Sequence, residues 1–318
     1  MSPASRSGFG RVAVLLAVLT VQVVAFGLAY AVDRPTLYAA FMVVSAVALA
    51  YGAEGGFAGM AAAALGTVLL IALTFPLLLF TARQNPSLVV EKLFDPEVHK
   101  MLYLSIYAPL LAAVFALLTG VPLAYLLSRG FPGGTLVQSL VDLPLVVPHS
   151  VAGIIILFGF GKGGAFPRLS ILGTMVGAVL AMTFVSAPFA VNSAREAFET
   201  LDRRIEYAAR IHGASSLRTF RRVSLPLAAR GILTGGVLAW ARAVSEFGAV
   251  AIVAYTVKFF YPLAGKTVFG AHAPVFIYKT YLTGSLAESG AVAFILLVVS
   301  IAIFVIIRSI AQDGGKVL

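Results

Sequence analysis

The chain has 318 residues, of which 60% are apolar and only 11% charged, less than half the charged share of an ordinary soluble domain. A mean hydropathy of +0.99 leaves too little polar sequence to coat a water-facing surface, which excludes a soluble enzyme and points to an integral membrane protein. The excess of 23 Lys and Arg over 13 Asp and Glu, which in a soluble chain would suggest nucleic acid, reads here as a topology signal, because basic residues gather in cytoplasmic loops. The chain has no cysteine, so thiol chemistry is excluded. His99, His149, His212 and His272 show no metal-ligand spacing, so no metal and no catalytic set is expected.

A helix that crosses a bilayer needs about 20 mostly apolar residues. Eight segments qualify, at about 12–32, 36–53, 57–82, 101–128, 136–160, 171–194, 226–255 and 287–310, which predicts an all-α polytopic helical bundle. Arg6 and Arg11 precede the first, and Ala29-Tyr30-Ala31 at its end resembles a signal-peptidase site. Its apolar run is longer than a signal-peptide core, so an uncleaved helix is expected. The second and third are joined across Glu54-Gly55-Gly56 as a tight hairpin, and Pro144 and Pro148 kink the fifth. The small-residue pairs Gly52/Gly56 and Gly173/Gly177 predict close helix packing.

Eight arginines lie between residues 195 and 230, a density that places this loop and both chain termini in the cytoplasm. Within the loop, Ala194, Phe198, Leu201, Ile205, Ala208 and Ala209 form an apolar stripe with Arg203, Arg204, Glu206 and Arg210 largely off it. Gly213 supplies a helix stop, Ser215 or Ser216 can cap a second short helix, and Pro226 ends the segment. Such a loop is either an amphipathic helix lying on an anionic leaflet or a docking element for a cytoplasmic partner.

The spacing of Tyr207-Ala208-Ala209-Arg210-Ile211-His212-Gly213, then Phe220 and Leu225-Pro226, resembles the EAA loop of ATP-binding-cassette (ABC) importer permeases. Tyr207 stands where that pattern has glutamate, with Glu206 one place earlier. Asp95-Pro96-Glu97-Val98, Gly120-Val121-Pro122-Leu123-Ala124-Tyr125-Leu126-Leu127, Asp142-Leu143-Pro144 with Val147-Pro148, and Ser245-Glu246-Phe247-Gly248-Ala249-Val250 are similar to the oxyanion branch of those permeases. Ile252-Val253-Ala254-Tyr255 and Ala273-Pro274-Val275-Phe276-Ile277-Tyr278 look most like the archaeal type of molybdate/tungstate permease.

The resemblance implies a type I permease fold: a six-helix core within residues 57–318, a coupling loop at 195–226, and two added helices in residues 1–56. It implies a homodimer in the cell membrane, among lipid, that docks a separate ATPase through Glu206, Tyr207, Ala208, Ala209, Gly213, Phe220, Leu225 and Pro226. It further implies an external oxyanion-binding protein that delivers substrate. ATP and magnesium belong to the ATPase, and this chain binds no cofactor. Consistent with that division, the one match to the end of a phosphate-cradling motif, Gly265-Lys266-Thr267, has Phe260 where the motif needs glycine.

Charges inside spans are expensive and call for a role. Asp142, Arg242 and Glu246 qualify. Arg242 and Glu246 are four apart on one helix face, which allows an internal ion pair, while the resemblance suggests a gate-lining role for Ser245 and Glu246. His149 and Ser150 either pack or offer donors to a tetrahedral anion on the translocation pathway. The segments 83–100 and 256–287 are long enough to meet a binding protein, or alternatively re-enter the interface on their aromatic residues. Sulfate is the competing substrate. An ion-driven carrier would show inverted repeats, which are absent from the sequence, and an intramembrane enzyme would need a nucleophile and base at depth.

Overall fold

The computed structural model describes residues 24–34, 36–52, 56–161, 164–165 and 170–313. Most of the expected first span, and the cleavage alternative with it, lies outside the described residues; 24–31 are helical (α1). The chain divides into two compact units, Met1–Gln84 and Asn85–Leu318.

In the first unit, α2 (Thr36–Gly52) and α3 (Gly56–Ala82) coincide with the expected second and third segments. A local core forms where Phe26, Ala29 and Tyr38 are buried against Met42, Phe75 and Leu78. The Phe26 ring sits edge-on to Tyr38 at 5.3 Å.

In the second unit, Asn85 caps the short helix α4 (Pro86–Leu93) and Asp95 caps α5 (Pro96–Arg129), each accepting a backbone N–H two residues on. At 34 residues α5 spans about 50 Å, more than the hydrocarbon thickness. Then come α6 (Gly134–Val146), α7 (His149–Phe160) and α8 (Met175–Glu199). The arginine-rich loop holds α9 (Arg203–Ile211), α10 (Ser216–Thr219), a π turn (Phe220–Ser224) and α11 (Leu225–Leu227). The chain continues through α12 (Ala229–Val244), α13 (Gly248–Val253), β1 (Val257–Tyr261), β2 (Lys266–Gly270), α14 (Ala273–Thr283) and α15 (Leu286–Asp313).

Among the described residues, α5, α8 and Leu286–Ile306 of α15 are each long and apolar enough to cross a membrane. The expected fifth and seventh spans are broken: α6 and α7 meet at 120°, and the Ser216–Leu227 helix meets α12 at 72°. The first break is where Pro148 follows Val147, a position at which proline removes a donor and biases its predecessor away from helix.

The core of this unit is built on small residues. Ala112, Ala116 and Ala124 of α5, Ala181, Ala190 and Ala194 of α8, and Ala239 and Ala243 of α12 are all buried. Without a hydrophobic drive between helices in lipid, close van der Waals approach is what holds such surfaces together. The tightest approach is α12 on α8. A Cβ at Gly231 would overlap Ala197 Cβ, and one at Gly235 would stand 2.9 Å from Ser193 Cβ. Of the Gly173/Gly177 pair singled out in the sequence, Gly177 does pack closely, against Ile171 and Val253. Gly173 instead forms a turn at φ 69°, in which its N–H donates to Val253 O and its carbonyl accepts from Lys258 N.

The segment read as re-entrant or interfacial contains a β-hairpin, with Val257 paired to Gly270 and Tyr261 to Lys266. Alternation buries Val257, Phe259 and Tyr261 and exposes Lys258 and Phe260. Phe259 stacks on Tyr103 of α5 at 5.9 Å, fixing the hairpin to the bundle. His272, outside the membrane-spanning segments and between β2 and α14, is wholly buried with Nε2 donating to Val244 O at 2.9 Å. Burial lowers its pKa to about 4, so the ring is neutral.

Candidate functional site

Two side-chain assemblies carry the residues singled out in the sequence. The first is the loop after α8. That helix runs to Glu199, and Asp202 starts a new one by accepting the Arg204 N–H at 2.9 Å. Because the helical phase restarts there, the stripe expected from Ala194 to Ala209 is not continuous. Ala194 and Phe198 are buried at the end of α8, whereas Ile205 is 46% exposed. Glu206, expected off the apolar stripe, is the buried residue of α9.

The end of α9 is a complete Schellman motif. Gly213 at φ 82° lets its N–H donate to Arg210 O (2.9 Å) and the Ala214 N–H donate to Ala209 O (3.0 Å). Ser215 then caps α10 through the Arg218 N–H at 3.3 Å. The π turn carries Phe220 inward, where its ring lies 4.8 Å from Tyr125 and 6.1 Å from Phe198. Leu225 packs partly buried in the same cluster.

The coupling-loop residues therefore divide by direction. Glu206, Phe220 and Leu225 face the bundle, and Ala209 is half-buried. Tyr207, Ala208, Gly213 and Pro226 are exposed, beside Ile205, Ile211 and Leu217. Ile211 is 84% exposed and Tyr207 57%, large apolar surface on a helix otherwise rich in arginine.

The second assembly forms where two helix breaks meet. A Cβ on Gly248, which opens α13, would come within 2.8 Å of His149 Cβ and 3.0 Å of Ser150 N at the start of α7. The ion pair allowed by the spacing is present: Arg242 Nη2 donates to Glu246 Oε2 at 2.8 Å. Arg242 Nη2 also lies 2.6 Å from His149 Nε2 and 3.0 Å from its Nδ1, which is itself 3.3 Å from Glu246 Oε2. Glu246 Oε1 accepts the Ala249 N–H at 2.9 Å, and Arg242 Nη1 reaches Ser245 Oγ at 3.2 Å. Glu246 is fully buried, while 45% of the His149 side chain and 19% of that of Arg242 are exposed. The carboxylate is thus satisfied, and His149 is the most open member of the cluster.

Asp142 is not part of this cluster. It accepts from Gln138 Nε2 (2.7 Å) and Asn192 Nδ2 (2.8 Å), and Arg195 Nη1 donates to Gln138 Oε1 (2.8 Å), a polar ladder between α6 and α8. Sequence reasoning that weighed only ionisable groups passed over Gln138 and Asn192; amides inside an apolar run were the available signal. Reading basic residues as a topology signal likewise assigned no partner to Arg129, which reaches Glu206.

Comparison with known proteins follows the same lines. A family model described as the binding-protein-dependent transport system inner membrane component matches residues 116–313. The molybdate/tungstate transport system permease protein WtpB of Pyrococcus abyssi is 40% identical over 249 residues, covering 77% of this chain and 92% of that protein. WtpB of Thermococcus kodakarensis is 42% identical over 249 residues, with 77% and 93% coverage. The crystal structure of a bacterial alginate ABC transporter in complex with its pentasaccharide-bound periplasmic protein includes a chain of similar fold, at TM-score 0.60 and 15% identity, covering 81% of this chain and 95% of that one.

Proposed function

Since the chain belongs to the family of binding-protein-dependent transport system inner membrane components, we propose that it is the permease of an ATP-driven importer for molybdate and tungstate. The chain is multi-pass, and it leaves ATP hydrolysis to a separate ATPase subunit. The oxyanion assignment is supported by the WtpB relatives at about 40% identity over most of the chain.

The observation that carries the coupling role is α9, a short helix stopped by a glycine cap that turns Ile205, Tyr207 and Ile211 away from the bundle. Hung from the ends of spans, this face seats in a groove of the ATPase on the cytoplasmic side, where the arginine density also places both termini. One docking loop per chain calls for a second copy to serve two ATPases, so the assembly is a homodimer in the cell membrane. ATP-driven approach of the ATPases then moves the spans and switches access from outside to inside. We assign residues 1–56 to two helices added to the six-helix core.

On the outer side, the hairpin presents Phe260, Leu263 and Phe269, exposed beside Lys258 and Lys266, as a surface for the oxyanion-binding protein. The meeting of the two helix breaks lies on the pathway. There Arg242, His149 and Ser150 offer donors to a tetrahedral dianion, while Ser245, whose hydroxyl donates to Arg242 O, and Glu246 hold the guanidinium in place.

The deciding experiment is ATP hydrolysis by this chain reconstituted in vesicles with its ATPase and binding protein, with molybdate, tungstate or sulfate supplied. Stimulation by molybdate and tungstate is expected. Stimulation by sulfate alone would replace the substrate, and no association with an ATPase would refute the coupling role.

A further inference from the structure

The buried face of α9 carries a charge, which is unusual for a short helix resting on a bundle. Arg129, the last residue of α5, donates from Nη2 to Glu206 Oε1 at 2.5 Å, and Ser224 Oγ donates to the same oxygen at 2.5 Å. Glu206 is 6% exposed. The other guanidinium arm, Nη1, is 3.5 Å from Phe198 O in the last turn of α8. The face of the same guanidinium lies 5.0 Å from the Tyr125 ring centre. A second link runs beside it, from Arg203 Nη2 to Ser128 O at 3.1 Å.

One carboxylate thus gathers three parts of the bundle. Arg129 brings the ends of α5 and α8, and Ser224 brings the π turn that leads into α12. The aromatic cluster of Tyr125, Phe198 and Phe220 packs around the same point. Apolar packing by itself is non-directional and lets a helix slide over its support. A charge-assisted hydrogen bond fixes register, and once desolvated it resists separation because parting would leave a buried charge unpaired.

We propose that the Arg129–Glu206 pair is the joint through which displacement of α9 is transmitted to α5, α8 and α12, making both residues positioning residues for transport that do not themselves contact the ATPase. The proposal rests on the reading of α9 as the ATPase-docking helix. It differs from that reading in predicting a loss of coupling with docking retained.

The test uses the full complex in vesicles and measures molybdate taken up per ATP hydrolysed, together with ATPase association. In Glu206→Gln and Arg129→Gln, association is retained and hydrolysis continues, while uptake per ATP falls by about fivefold or more, the lower end of typical coupling between sites. The absence of native cysteine permits a second measurement within one folded sample. An Arg129→Cys/Glu206→Cys chain bridged by a reducible bis-methanethiosulfonate reagent recovers uptake per ATP, and loses it again on reduction. An unchanged ratio in the single variants, or equal ratios in the bridged and reduced states, would overturn the joint while leaving docking intact. Failure of the unaltered chain to bind an ATPase would overturn docking, and the joint with it.

Discussion

Gly213 gives the sharpest handle on how the loop is built. Its φ of 82° lies in the left-handed region, and a Cβ there would meet no atom within 4 Å. Substitution therefore carries no clash, and its whole effect is conformational. An L-residue held in that region costs about 1–2 kcal/mol, with asparagine tolerated better than alanine. The alternative is loss of the two Schellman bonds, to Arg210 O and Ala209 O, with fraying of the last turn that presents Ile211. A helix of nine residues has little intrinsic stability to absorb that loss. Either route weakens ATPase association by roughly 5- to 30-fold in Gly213→Ala, since about 1.4 kcal/mol is tenfold. Gly213→Asn should lose less. Gly213→Pro should lose more, because it also removes the N–H that Arg210 O accepts. Titration of purified ATPase onto the permease in nanodiscs measures all three. Equal affinities for glycine and alanine, or a greater loss with asparagine than with alanine, would refute the backbone argument.

Three further outcomes follow from other sites. Gly231→Ala should lower stability in detergent by about 1–3 kcal/mol, because the new methyl overlaps Ala197 and forces α12 off α8; an Ala197→Gly partner change should recover part of the loss in a thermal melt. His272 has a folded pKa of about 4 against 6.5 in the unfolded chain, so between these values the unfolded state binds more protons. Its contribution is therefore complete above about pH 6.5, shrinks as pH falls, and is about 3 kcal/mol smaller below pH 4; melting curves across that range should lose this slope in His272→Gln. Glu246→Gln leaves the Arg242 guanidinium beside a neutral partner and should destabilise by about 3 kcal/mol, whereas Arg242→Gln/Glu246→Gln should regain most of it. Uptake that stays low in the stable double variant would place the pair on the pathway, and full uptake would confine it to structure.

The spans on α5, α8 and α15 were legible because a long apolar run admits few other states in a chain of this composition. Where a span breaks was half legible. Pro148 marks the α6–α7 break by its missing donor, and Pro226 precedes the 72° bend at Ala228 by two residues, whereas no proline marks the break between α12 and α13. The hairpin was not legible. Its strands are five residues each and its turn is Pro262-Leu263-Ala264-Gly265, without the two-residue Asn-Gly or Asp-Gly signal of the commonest hairpins. Its pairing with the bundle depends on Tyr103 and Gly173, which are remote in sequence.

The loop shows why its caps could be read and its facing could not. Gly213 and Ser215 act on backbone groups within five residues of themselves, so local sequence suffices to place them. Which side of α9 is inside depends on the phase with which the helix restarts after Asp202, and a periodicity counted through Thr200 and Leu201 carries the wrong phase across that break. The inner side is met by Arg129, 77 residues away, whose partly buried guanidinium at the end of α5 is left unpaired unless a carboxylate meets it. Glu206 is the residue of α9 that can do so, and turning it inward is what turns Ile205, Tyr207 and Ile211 outward. The exposed apolar face of the helix and its buried ion pair are thus opposite sides of one helix, so a displacement of the docked face is carried to the pair.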